Sequence, residues 1–194
     1  MSLLRRGFKT WCENAARGYR REFGLAPFDA LNPRLLASKL NIKIWTPNEV
    51  PDLPAASLRQ LTKTDPSGWS AVTICVEGKS LIITNDQHSI ERQNNSITHE
   101  LSHMILEHKP AQVFVSPTGQ MLLSEYDPVH EEEADCLSGT LLVPRDALLD
   151  LLGRGVDHAR AAAHFVVTKD LLRMRINLTG VSKQLGHRSR RGAA

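Results

Sequence analysis

The chain has 194 residues, a formal net charge of +3, 41% hydrophobic and 23% charged residues. This is the profile of a globular domain and excludes a disordered, collagen-like or disulfide-stapled chain. No run approaches 18 consecutive apolar residues, and the basic N-terminus lacks the apolar stretch of a signal peptide, so a soluble chain without membrane spans is expected.

Cys12, Cys75 and Cys136 are odd in number and lack C-x-x-C spacing; they read as reduced thiols of a cytoplasmic protein rather than as zinc ligands. Charge is uneven. Residues 151–194 carry nine Lys/Arg against two Asp, or +7, and residues 1–150 carry fifteen against nineteen, or −4.

In chain order, "SLLRRGFKTWCENAARGYRREF" predicts an amphipathic helix, and "NPRLLASKL" a second one capped by Asn32 with Pro33 in its first turn. "NIKIW" alternates as a short strand and runs into the proline-rich loop "TPNEVPDLP". "GWSAVTICVEGKSLIITN" holds two strand-like runs around "EGKS", a hairpin. A helix follows with Ile90, Ile97, Leu101 and Ile105 as its buried stripe. Residues 108–128 read mostly as loop. Another helix spans about Val129 to Val143 and stops at Pro144, and two or three short helices fill 145–180. Three units are expected: a main domain at 1–150, a helical subdomain at 151–180, and a basic, flexible tail at 181–194.

Within the long helix, "HELSH" at residues 99–103 sets two histidines four apart with Glu100 after the first. On a helix, His99 and His103 point about 40° apart, so both imidazoles can bind one ion while Glu100 reaches a water on it. A third ligand is then required. The extended motif with Gly and His at positions 106 and 109 is excluded by Leu106 and Lys109. Glu131, Glu132 and Glu133 compete for the place. Asp135 favours Glu131, because residues four apart share a face and a ligating histidine commonly gives its other N–H to a carboxylate. Glu132 and Glu133 read as an acidic first turn facing the helix dipole.

Four segments, "FDALNPRLLASKLNIKIW", "SLIITNDQHSIERQNNSITHELSHMILEH", "EEEADCLSGTLLVP" and "AAAHFVVTKDLLRMRINLTG", together resemble the ImmA/IrrE-type metallopeptidases. Arg92, seven residues before His99, matches an arginine usual in that family, as do the Glu131–Ala134–Asp135 spacing and the closing L-L-x-P. Asn95, Ser96 and Thr98 depart from the family's Phe-Thr and Ala ahead of the motif, and Leu137-Ser138 from its Phe-Ala. The resemblance implies a zincin-like α+β fold with a short antiparallel sheet, the H-E-x-x-H helix, a glutamate-bearing second helix and a C-terminal helix-turn-helix-like unit. It also implies a Zn2+ site of His99, His103 and Glu131, with Glu100 as catalytic base and Asp135 behind a histidine. The implied activity is cytoplasmic proteolysis of a regulatory protein, a helix-turn-helix transcriptional repressor above all.

The oxyanion of such a reaction needs a further donor, and Tyr126 and His130 lie just before Glu131. His130 also competes weakly as a ligand. His88, His108, His158, His164 and His187 show no ligand spacing and read as surface or satisfied side chains. The peptide is expected to add to an edge of the 69–84 hairpin, with Trp69 serving in hairpin packing more than in the cleft. A rival reading takes Lys169, Arg173 and Arg175, with the +7 balance of 151–194, as the contacts of a DNA-binding regulator whose zinc is structural only.

Overall fold

The computed structural model describes residues 3–76, 79–108, 112–115, 121–124 and 127–191. Helix α1 (Phe8–Glu22) is entered through Gly7 in the left-handed region, φ 85°, so it begins later than its amphipathic pattern suggests. Asn32 accepts the Arg34 N–H at 2.9 Å and starts α2 (Pro33–Lys39), as its cap-and-proline pattern predicts. Strand β1 (Lys43–Trp45) follows. A 3₁₀ turn at Pro47–Glu49 and a short helix, α3 (Ala55–Arg59), lead to β2 (Ala71–Val76) and β3 (Lys79–Thr84). The turn expected at residues 77–80 falls largely on 77–78, which lie outside the described residues.

The strands lie in the order β1-β3-β2, with β1 parallel and β2 antiparallel to β3. The sheet is therefore mixed, which corrects the expected antiparallel sheet. The chain crosses from β1 through α3 and β2 before β3 returns beside β1, and a connection of that length permits parallel pairing. Register puts Ile44, Ile82 and Thr73 in one row on the face towards α4 (Ile90–Ile105), with Ile82 fully buried. Ser89 caps α4, whose Ile97 and Leu101 are fully buried. Ile90 is 48% exposed, however. It shares their face but stands two turns ahead of Ile97, beyond the core.

Residues 112–115 and 121–124 form an antiparallel pair, β4 (Gln112–Val115) and β5 (Met121–Ser124), where mostly loop was expected. Runs of four residues carry too little periodicity to separate strand from loop. Helix α5 (Pro128–Leu142) packs along α4; Asp127 caps it by accepting the Val129 N–H at 2.8 Å. Buried hydroxyls on both helices bond back to their own carbonyls, Thr98 to Asn94, Ser102 to Thr98 and Thr140 to Cys136, each at 2.7 Å. Small side chains satisfied in this way allow close helix approach.

Helices α6 (Arg145–Gly153), α7 (His158–Phe165), α8 (Lys169–Thr179) and α9 (Val181–Arg191) complete the described chain. The segment expected to be a flexible tail is helical as far as Arg191, because Val181 and, one turn on, Leu185 pack into the core. Val166 closes α7 at φ 52°, and Thr168 caps α8. Asn94 Nδ2 donates to the Val166 carbonyl at 3.0 Å and Asn95 Nδ2 to Thr168 Oγ1 at 2.8 Å, so the polar residues ahead of the histidine motif tie α4 to this turn.

The described residues form two apolar cores. Phe8, Leu36, Ile82, Ile97, Leu101 and Leu141 belong to one, and Leu142, Leu148, Phe165, Leu172 and Val181 to the other. They meet within α5, between Leu141 and Leu142, upstream of the division expected at 150. No described helix is long and apolar enough to cross a membrane.

Candidate metal centre

Two helices build the site. On α4 the four-residue spacing places His99 and His103 on one face with their Nε2 atoms 3.1 Å apart. Glu131 enters from the first turn of α5, with Oε2 3.3 Å from His99 Nε2 and Oε1 3.4 Å from His103 Nε2. One donor atom from each of these three residues lies within 4.8 Å of the others, the only such group of ionisable side chains among the described residues. Two imidazole nitrogens and one carboxylate oxygen, each half-buried, form a donor set that suits Zn2+ once the imidazoles are unprotonated, with an open position left over.

Asp135 lies one turn beyond Glu131 and its Oδ1 accepts from His99 Nδ1 at 3.0 Å, which turns His99 Nε2 towards the cluster. Burial works against a charge on His99, but Asp135, Glu100 and Glu131 outweigh it and raise its pKa above the usual histidine value. His103 differs. Burial and the neighbouring His99, His108 and His130 rings push its pKa down to about 4.

Glu100 stands beside the histidines, and its Oε2 accepts a hydrogen bond from Thr73 Oγ1 at 2.5 Å. Sequence reading missed Thr73. Only the β2 register turns it towards α4, and no local signal announces that across 27 residues. A cleft of about 550 Å³ opens here, lined by Ala71, Ser96, His99, Glu100, Asp135 and Met174. Asn95 also lines it, and its Oδ1 is buried with no hydrogen-bond partner.

The remaining sequence candidates fall elsewhere. His130 stacks on His108 with ring centroids 4.1 Å apart, and its Nε2 lies 3.6 Å from Asp127. Tyr126 lies outside the described residues. Trp69 donates its Nε1–H to the Leu61 carbonyl at 3.0 Å, so it packs against the helical turn that precedes the hairpin. His108, expected at the surface or satisfied, is buried at 5% side-chain exposure between His103 and Glu133. Glu133, expected to be a dipole-facing residue, instead accepts from His108.

Arg175 corrects the rival reading. Its side chain is 4% exposed, donates to the Val143 carbonyl at 2.9 Å and pairs with Glu13 at 2.8 Å, so it is not available to a DNA backbone. Arg173 is exposed and paired with Asp170.

No curated protein matches the chain. A family model, Peptidase_M78, described as the IrrE N-terminal-like domain, matches residues 56–177, which is well over half of the chain and includes both helices of the cluster. The chain belongs to this IrrE N-terminal-like peptidase family, and membership implies a metallopeptidase-type activity towards protein substrates.

Proposed function

We propose that the protein is a zinc-dependent metallo-endopeptidase that cleaves a regulatory protein in the cytoplasm, with a helix-turn-helix repressor as the target class. One observation carries the reading: His99, His103 and Glu131 converge from two helices while Glu100, not part of that donor group, faces the adjoining cleft. His99, His103 and Glu131 would hold the zinc, and Asp135 keeps His99 oriented. When bound, the metal supplies a Lewis acid that polarises the scissile carbonyl and lowers the pKa of water.

Glu100 takes the proton of the attacking water and passes it to the leaving amine nitrogen. Thr73 anchors that carboxylate at the mouth of the cleft. The substrate backbone aligns along β2, which is an edge strand and carries both Ala71 and Thr73 into the site. Asn95 Oδ1 offers an acceptor for a peptide N–H, since a buried carbonyl oxygen without a partner is costly until a donor arrives. In this reading α6 to α9 support α5 from behind, and the α7–α8 turn forms one wall of the cleft as a helix-turn-helix-like unit. Three free cysteines suit a reducing compartment.

The test incubates purified wild type and Glu100→Gln with candidate helix-turn-helix repressors and analyses fragments by mass spectrometry. Cleavage should fall by about 10²- to 10⁴-fold in the variant, because an amide cannot accept the water's proton. Zinc content should stay the same. Full cleavage by Glu100→Gln would remove Glu100 from the chemistry, and cleavage of unrelated unfolded proteins alone would remove the repressor as target.

A further inference from the structure

We infer that His108 and Glu133 form a second positioning relay, which holds His103 for the metal as Asp135 holds His99. The inference rests on the zinc reading above.

The backbone at the end of α4 creates the contact. Glu107 adopts φ 56°, its N–H bonds the Met104 carbonyl at 3.1 Å, and the His108 N–H bonds the His103 carbonyl at 2.9 Å. This pair of bonds is a Schellman turn, which folds the residue after the left-handed position back over the last turn of the helix, where apolar side chains usually meet. Here the two residues brought together are histidines, His103 and His108, with their Nδ1 atoms 3.0 Å apart.

Donor and acceptor roles follow from the far side of each ring. His103 Nε2 faces Glu131 and His99, so it is the metal-side nitrogen and must present a lone pair. Its hydrogen therefore resides on Nδ1 and is donated to His108 Nδ1. His108 then carries its own hydrogen on Nε2 and donates it to Glu133 Oε2 at 3.2 Å. Both ends of the relay are shielded: side-chain exposure is 5% for His108 and 14% for Glu133. His130 closes the stack over His108, its ring inclined by 12°. Each metal-facing imidazole thus has a carboxylate behind it. Asp135 acts directly on His99, and Glu133 acts on His103 through one intervening ring. Glu131, Glu133 and Asp135, spaced two apart on α5, serve the ion and its two histidines.

The experiment uses the full chain with His108→Phe, which keeps the ring volume but removes the acceptor, and His108→Asn, whose Oδ1 stands near the position of Nδ1 and can accept from His103. Zinc affinity is measured by chelator competition, and the tautomer of His103 by ¹⁵N NMR on the metal-free protein. His108→Phe should weaken zinc binding by about 10- to 100-fold, and His103 should become a mixture of tautomers. His108→Asn should restore affinity to within a few-fold and return His103 to the Nδ1–H form. Glu133→Leu should weaken zinc in the same direction as His108→Phe, and Glu133→Gln, which still accepts, should weaken it less.

Wild-type zinc affinity and an unchanged His103 tautomer in a folded His108→Phe variant would overturn the relay. So would an equal loss in His108→Asn and His108→Phe, because packing alone would then explain both. If the wild type takes up no zinc, the metal reading fails, and the metal-free tautomer measurements still decide the relay by themselves.

Discussion

The two ends of α5 use charge in opposite ways. At its N-terminal half, Glu131 and Asp135 project towards α4 and Glu133 reaches His108 just beyond its end, while the donor atoms of His99, His103 and Glu131 are aimed at one point rather than at complete partners. At its C-terminal end every residue from Cys136 to Pro144 is buried, and the charges that arrive there are arginines that finish the helix. Arg20 donates to the Leu142 carbonyl at 3.5 Å and Arg175 to the Val143 carbonyl at 2.9 Å; these are the carbonyls a helix end cannot satisfy internally. Burial lowers the pKa of Arg20 to about 10, and Glu13 compensates Arg175 directly. Gly139 makes room for that crossing, since a Cβ there would lie 2.9 Å from Arg175 Cδ. Charge at the sealed end completes backbone bonding, whereas charge at the open end is left available for an ion. An acidic or basic cluster is thus read as functional by what its polar atoms still lack.

That contrast breaks most severely at the open end. His99→Ala, His103→Ala and Glu131→Ala should each abolish stoichiometric zinc, as read by atomic emission on purified protein. Metal-free unfolding midpoints of His99→Ala and Glu131→Ala should stay near that of the wild type, whereas His103→Ala leaves the buried His108 Nδ1 without its donor and should unfold somewhat earlier. Full zinc retention in a His99/His103 double variant would remove the site.

The sealed end should respond in the opposite sense. Arg175→Met leaves Glu13 without its charge partner and the Val143 carbonyl without a donor. The cost should be about 3 kcal/mol, the low end for a broken buried pair because Glu13 keeps the Arg145 N–H. Urea unfolding of the metal-free protein measures it. Zinc affinity of the folded fraction should change less than about twofold; a large loss would show that α5 transmits strain along its length.

How much of this was legible beforehand depends on whether the signal is local. Asn32-Pro33, the long helix with its motif, and the stop at Pro144 rest on residues within a turn of one another, and the helices lie where those signals put them. A carboxylate behind one of the two histidines followed from the four-residue spacing of Asp135 with Glu131; that the histidine is His99 needed the packing of α5 on α4. Thr73 beside Glu100 needed the register of a strand, and β1 parallel to β3 needed the course of the crossover. Arg175 was counted as an exposed base because its helix also carries Arg173 and Lys169; only the position of Gly139 and Glu13 draws it inward. His108 was unreadable for another reason. Its contact depends on Glu107 taking a left-handed conformation that glycine, not glutamate, normally signals.

Smaller effects sharpen the comparison within the open end itself. Asp135→Ala should weaken zinc by about 10- to 100-fold without abolishing it, since it touches the ion only through His99. Glu132→Ala should leave zinc affinity within about twofold; its carboxylate accepts from the Leu3 N–H instead of from either histidine. A loss from Glu132→Ala as large as that from Asp135→Ala would mean that the N-terminal segment docked on α5 sets the site.

The gentlest effect concerns pH, where the two histidines should separate. His99 has a raised pKa in the metal-free fold, so its proton stabilises that fold fully below the usual 6.5, and this stabilisation is lost as pH rises through the folded value. Zinc binding runs the other way, because the metal must displace that proton. His103, pushed down to about 4, holds no proton to displace between pH 5 and 8. Apparent zinc affinity should therefore be flat above the His99 pKa and fall by at most about tenfold per pH unit below it, the slope of one proton. A steeper fall, approaching two protons, should begin only towards pH 4. Asp135→Asn retains an acceptor for His99 Nδ1 but removes the charge that raises its pKa, so the one-proton fall should start at lower pH than in the wild type. Chelator competition across pH 4.5 to 8 measures both curves, and a two-proton slope already present at pH 6 would show that His99 and His103 titrate together and that their surroundings do not divide them.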